Sequence, residues 1–259
     1  MIDRSITKAN LEAIYAQTFD TERFKGVDPC GIVYELMEHT DNQLDIELGA
    51  LFVAMITWGN RKAIRQAARH MLRDEMNWHP GEFVLKGLFK DSYKDAKNGC
   101  VYRTLNSDTF KKVCYNVQQA LFTVGDNPTL ERYLAGKSCL ECIGLLCDML
   151  APAKLGFPGK SACKRICMFM RWMTRTTAPD LGIWRERSQG DLYAVMDVHV
   201  CTLTSSILTN KQASWKSCNE LSQIFKEWDP IDPLKYDIAL MTLSDRIDAE
   251  EAMLRKEEK

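Results

Sequence analysis

Apolar residues return every three or four positions along most of the chain, the spacing of one face of an α-helix. Leu44, Leu48, Leu51, Phe52 and Met55 form one such stripe, and Val113, Val117, Leu121 and Val124 a second. Trp215, Cys218, Leu221, Phe225 and Trp228 form a third, with Ser214 placed to cap its first turn. The β-rich fragments are short and lack the turn pairs that close hairpins, so no strand pair is predicted. Breaks fall at Trp78-His79-Pro80-Gly81, Gly125-Asp126-Asn127-Pro128, Gly156-Phe157-Pro158-Gly159 and Asp229-Pro230-Ile231-Asp232-Pro233. The pattern predicts an all-α fold whose last residues, Asp248 to Lys259, form a charged helix or a frayed tail.

Composition changes this picture little. With 46% apolar and 27% charged residues, the 259-residue chain can fill one large core or two small lobes. A formal charge of −1 excludes a protein coated in positive charge, so any nucleic-acid binding must come from a local patch. The start, Met1-Ile2-Asp3-Arg4, lacks a secretory pattern, and the apolar stretch Leu48 to Trp58 is far short of the roughly 20 residues that span a bilayer. A cytoplasmic protein without a membrane partner is the expectation. Ten cysteines then read as reduced. Cys139-x-x-Cys142 with Cys147 has no histidine nearby and sits among leucines, so these thiols read as small core hydrophobes; no metal and no cofactor is expected.

Charge is unevenly spread. From Lys154 to Arg187 there are eight basic residues against two acidic, a net +6 able to hold several phosphates. Within this stretch Pro158-Gly159-Lys160-Ser161 is a turn that can start a helix, with Ala162, Ile166, Phe169 and Met173 on its apolar face. At about 100° per residue, Lys164, Arg171 and Arg175 fall on the opposite face. Further on, Asp197 stands between an apolar run and a new helical pattern, the ordinary place of an N-cap.

Two motifs carry a resemblance. Lys164-Arg165-Ile166-Cys167-Met168-Phe169-Met170-Arg171 resembles the segment around the nucleophilic lysine of the shorter class of 8-oxoguanine glycosylases, with Phe five and Arg seven positions after Lys. Met196-Asp197-Val198-His199-Val200 resembles the aspartate motif of the helix–hairpin–helix glycosylase superfamily. Over nearly the whole chain, Trp58-Gly59-Asn60-Arg61-Lys62-Ala63-Ile64, Ser161-Ala162-Cys163-Lys164-Arg165, Met170-Arg171-Trp172-Met173 and Asp232-Pro233-Leu234-Lys235-Tyr236-Asp237 are similar to a bacterial family known as a domain of unknown function, a distant glycosylase relative. There are two departures. Lys164 and Asp197 stand 33 positions apart, wider than in close glycosylases, which implies an insertion around Thr176 to Gly190. Lys160-Ser161-Ala162 also replaces the hairpin's usual Gly-apolar-Gly.

The resemblance implies two helical lobes: residues 38–204 forming a helical barrel with the hairpin motif, and residues 1–37 plus 205–259 closing on it across a groove. It implies Lys164 as a nucleophile that attacks C1′ and forms a Schiff base, and Asp197 as the group that steadies positive charge on the sugar and handles the amine proton. An amine must be neutral to attack, and the start of a helix with Lys160 and Arg165 nearby favours that form. Lys160, Ser161, Arg165, Arg171 and Arg175 would hold nucleic acid; Trp58, Asn60 and Trp172 would form the base pocket, with Trp184 a further candidate; and His199 would orient. Two functions stay open: a monomeric glycosylase with abasic-site lyase activity on double-stranded DNA, or a non-catalytic DNA- or RNA-binding module. The first requires Lys164 and Asp197 to face one another; the second does not.

Overall fold

The computed structural model describes residues 2–17, 21–94 and 99–257. Two helices buried nearly all round make the centre: α4 (Gln43–Met55) and α10 (Lys164–Thr174), which pack on each other. In α4 every residue from Leu44 to Met55 is buried, so the predicted stripe is in fact a whole circumference. A helix apolar on all sides must be covered on all sides. The covering elements are α3 (Cys30–Met37) and α6 (Pro80–Leu85) on α4, with α9 (Cys139–Met149) on α10. The predicted second stripe is α7 (Ser107–Phe122), which packs on α6 and α9.

Shorter helices complete the chain. They are α1 (Lys8–Ala16), α2 (Thr21–Val27), α5 (Arg61–Arg69), α8 (Leu130–Tyr133) and α11 (Val198–Leu203). The third predicted stripe is α12 (Trp215–Trp228), capped by Ser214 in a reciprocal pair with Ser217. After the predicted turn at Asp229–Pro233 comes α13 (Lys235–Glu257), which packs on α1 and α11. Lys235 Nζ returns to Asp229 at 2.6 Å, and the Tyr236 hydroxyl lies 3.0 Å from Glu12 Oε1, so this turn and α1 are tied together. Among the described residues no helix is long and apolar enough to cross a membrane.

The fold is mostly helical as expected, and one correction concerns the expectation of no strand pair. Cys100–Tyr102 (β1) and Leu105–Asn106 (β2) pair antiparallel. Strands of three and two residues show no period-two pattern, and the positive φ that the turn needs (+50°) is taken by Arg103 rather than by Gly or Asn. The hairpin ends in Asn106, whose side chain accepts from Thr109 N and caps α7. Elsewhere the chain is mostly helical, as the periodicity predicts.

Candidate functional site

Lys164 and Asp197 meet. Lys164 Nζ lies 2.6 Å from Asp197 Oδ2, across the 33 positions that separate them in the sequence. Lys164 is the first residue of α10, which starts there because Cys163 turns the chain with φ +50°. Asp197 is the N-cap of α11: its Oδ1 accepts from Val200 N at 2.8 Å. Asp197 thus uses both oxygens, one closing a helix end and the other in contact with the lysine. Burial works against the charge of Asp197, but the Lys164 ammonium, its hydrogen bond and the Val200 N–H outweigh it and hold the carboxyl below its ordinary range.

The segment before Asp197 is fixed from two sides. Ala194 N donates to Ser222 Oγ of α12 at 2.9 Å, and Val195 N donates to Asp237 Oδ2 of α13 at 2.9 Å. The loop after α10 supplies the path between Lys164 and Asp197. Leu181 and Gly182 N–H groups both donate to Trp172 O, folding the loop back along α10. Gly182 takes φ +57°, and a Cβ there would stand 2.6 Å from Thr176 Cα, so glycine is required for that return. Trp184 Nε1 then donates to Glu47 Oε1 at 2.7 Å and its ring meets Phe169 edge-on, anchoring the loop on α4 and α10.

The pair opens onto a cavity of about 700 Å³ walled by α10, α11, α13 and the Trp58 turn. Trp58 and Trp172 both line it. Trp58 is held edge-on by Tyr102, whose hydroxyl donates to Trp58 O at 2.8 Å, and the Arg165 guanidinium lies over its ring at 4.9 Å. Arg165 also donates to Met55 O at 2.9 Å, the end of α4. The small hairpin missed in the sequence is thus what buttresses the aromatic wall. His199 is exposed on the rim. Arg61, also on the wall, pairs with Asp245 of α13 at 3.1 Å.

Several residues singled out by the sequence lie elsewhere. Asn60 is exposed and spends its side chain capping α5 through Ala63 N; it is not among the residues lining the cavity. Trp184 lines a separate cavity of about 440 Å³. Lys160 is exposed, and Ser161 Oγ accepts from Cys163 N, closing the turn that starts α10. The largest correction concerns Arg171 and Arg175. Neither is on a solvated face: Arg171, at the inner wall of the cavity, is 5% exposed, and Arg175, away from it, 0%. Arg171 meets Asp180 at 3.1 Å, while Arg175 meets Asp232 at 2.8 Å, Asp180 at 3.2 Å and the Tyr15 hydroxyl at 2.6 Å. A buried charge persists only when paired, and guanidiniums committed in this way cannot reach phosphates. The +6 stretch is correspondingly thinner at the surface.

Asp237 is a further residue of the cavity wall that no motif marks as functional. It is 5% exposed, and burial pushes its carboxyl up to about 6 against the pull of Arg171 and the Val195 N–H. Its signal was an acid set inside the apolar run Leu234, Tyr236, Ile238, Ala239, Leu240. The cysteines behave as predicted at Cys139, Cys142 and Cys147, all buried and unpaired. Among the described residues no group of three or more His, Cys, Asp or Glu is placed to hold a metal ion.

Comparison with protein families identifies a match over residues 28–245 to a protein of unknown function, DUF2400, and the chain belongs to that family. No curated protein and no solved structure matches the chain. The matched span contains Trp58, Lys164, Asp197, Asp237 and Asp245, and so most of the cavity wall.

Proposed function

For this member of the DUF2400 family, we propose a DNA glycosylase-like activity: base excision with abasic-site lyase chemistry through Lys164. The observation that carries the reading is the 2.6 Å contact of Lys164 Nζ with Asp197 Oδ2 at the wall of a cavity lined by two tryptophans. A lysine that attacks an electrophilic sugar carbon must give up a proton, and a carboxylate in hydrogen-bond contact is placed to take it. The same carboxylate steadies the positive charge that grows on the sugar as the glycosidic bond breaks. The amine displaces the base at C1′, and the base leaves with a proton; the sugar ring then opens to the Schiff base as its ring oxygen takes up a proton, and loss of a C2′ proton expels the 3′ phosphate. A cavity of about 700 Å³ has room for an extruded base, and Trp58, wedged between Tyr102 and Arg165, offers a rigid face for stacking. In this reading the groove between two lobes is the DNA channel, and Lys160, Lys154 and Arg165 supply its phosphate contacts.

The non-catalytic binding module is the weaker reading, because it does not need a lysine and an aspartate in contact. Borohydride trapping separates the two. Incubated with duplexes carrying an abasic site or 8-oxoguanine, the protein is expected to form a covalent adduct that disappears in Lys164→Gln. Binding of the same duplexes with no adduct from any of them would leave the binding module standing.

A further inference from the structure

Asp237 sits in the first turn of α13, and one of its oxygens touches both elements that bring Lys164 and Asp197 together. Oδ2 accepts from Val195 N at 2.9 Å, two residues before Asp197. The same oxygen faces Arg171 Nη1 at 3.8 Å, seven residues beyond Lys164 on the same helix. The other oxygen, Oδ1, is buried and has no hydrogen-bond partner. Satisfying both oxygens is the usual condition for burying a carboxylate, so this half-satisfied one calls for an explanation. Ser222 holds Ala194 on the other side of the segment, and Val195 is therefore held from α13 through Asp237.

We propose that Asp237 is the positioning residue of this site: it fixes Asp197 against Lys164 through Val195 and Arg171, and a proton taken up on its unpartnered oxygen loosens that registration. The proposal rests on the reading that Lys164 and Asp197 are the working pair. Protonating Oδ1 breaks no hydrogen bond, since none is made there. It removes the negative charge to which Val195 N–H and Arg171 answer, and Arg171 then turns to Asp180 alone. Burial sets the carboxyl up to about 6, so the change falls close to neutral pH. The charged groups facing it are Arg171 and Arg175 of α10 and Asp180 of the loop that follows. The cavity wall also carries the His199 imidazole and Asp28, whose carboxyl burial raises.

The test reads the lysine directly. Formaldehyde with cyanoborohydride methylates accessible amines, and peptide mass spectrometry gives the labelling of Lys164 relative to exposed Lys160. In the wild type this ratio should be low near neutrality, because Asp197 holds the amine, and should rise as pH falls through about 6. Asp237→Asn should raise the ratio roughly fivefold at neutral pH, the factor for losing one net hydrogen bond, and abolish its pH step. Asp237→Ala should raise it further, whereas His199→Gln and Asp28→Asn should keep the step. The idea is overturned if folded Asp237→Asn keeps the wild-type ratio and pH profile, or if the step vanishes with His199→Gln or Asp28→Asn instead. Should Asp237→Ala not fold, the wild-type profile and Asp237→Asn decide alone. A pH step at Lys164 without any adduct on abasic DNA would sink the lyase reading and leave the positioning role intact.

Discussion

Asp197 does two jobs with two oxygens, and substitution can part them. Asn caps a helix about as well as Asp, whereas Ala does not. Asp197→Ala should therefore cost about 1 kcal/mol of stability for the lost cap, with up to a further 1 kcal/mol for the partly exposed ion pair. Asp197→Asn should show only the ion-pair part, measured by urea denaturation. Its pH dependence has a definite sign. The folded carboxyl titrates below its unfolded value, so its stabilisation is present above about pH 4 and lost as pH falls through the folded value. The difference between wild type and Asp197→Asn should shrink toward zero in that acid window. A gap that persists at low pH would mean that Lys164 does not supply the stabilisation. From sequence, each residue had a separate plain reading, as a helix-face lysine and a helix cap. Their contact depends on the fold-back of the loop at Gly182 and on the anchors at Ser222 and Asp237, all of which lie far away in the chain.

At the scale of elements, periodicity located α4, α7 and α12 and the cap at Ser214, because those signals are local. On α10 it found the helix and its apolar face but misjudged the face opposite, for a definable reason. A helical wheel puts Arg171 and Arg175 opposite the apolar stripe, but Asp180, Asp232 and Asp237 come from a loop, a turn and α13 to cover that face. A buried ionic lattice looks, in sequence, like a solvated face. The consequence is measurable on both sides. Arg175→Met strands Asp232, leaves Asp180 to Arg171 alone, and should cost about 3–5 kcal/mol. The milder Arg175→Lys, if it folds, should leave the salt dependence of DNA binding unchanged, whereas exposed Lys160→Ala should lower the slope of log K against log salt by about 1. A drop with Arg175→Lys equal to that of Lys160→Ala would return the arginine to the DNA surface.

On the scale of the whole molecule, α4 and α10 form the centre, the two ends of the chain meet one another as α1 against α13, and the cavity lies between α10, α11 and α13. Such an arrangement places the ten cysteines in an unusual position. Nine are buried and unpaired, distributed over helices from α3 to α12, while Cys100 alone is exposed on the hairpin. Each buried thiol is thus a sealed clock that starts only when its own part of the fold opens. With an excess of a thiol reagent, one group should react at once and nine slowly. If the helices melt as one unit, the nine should share a single rate, and peptide mapping of that rate would show whether the site breathes apart from the core before the protein unfolds.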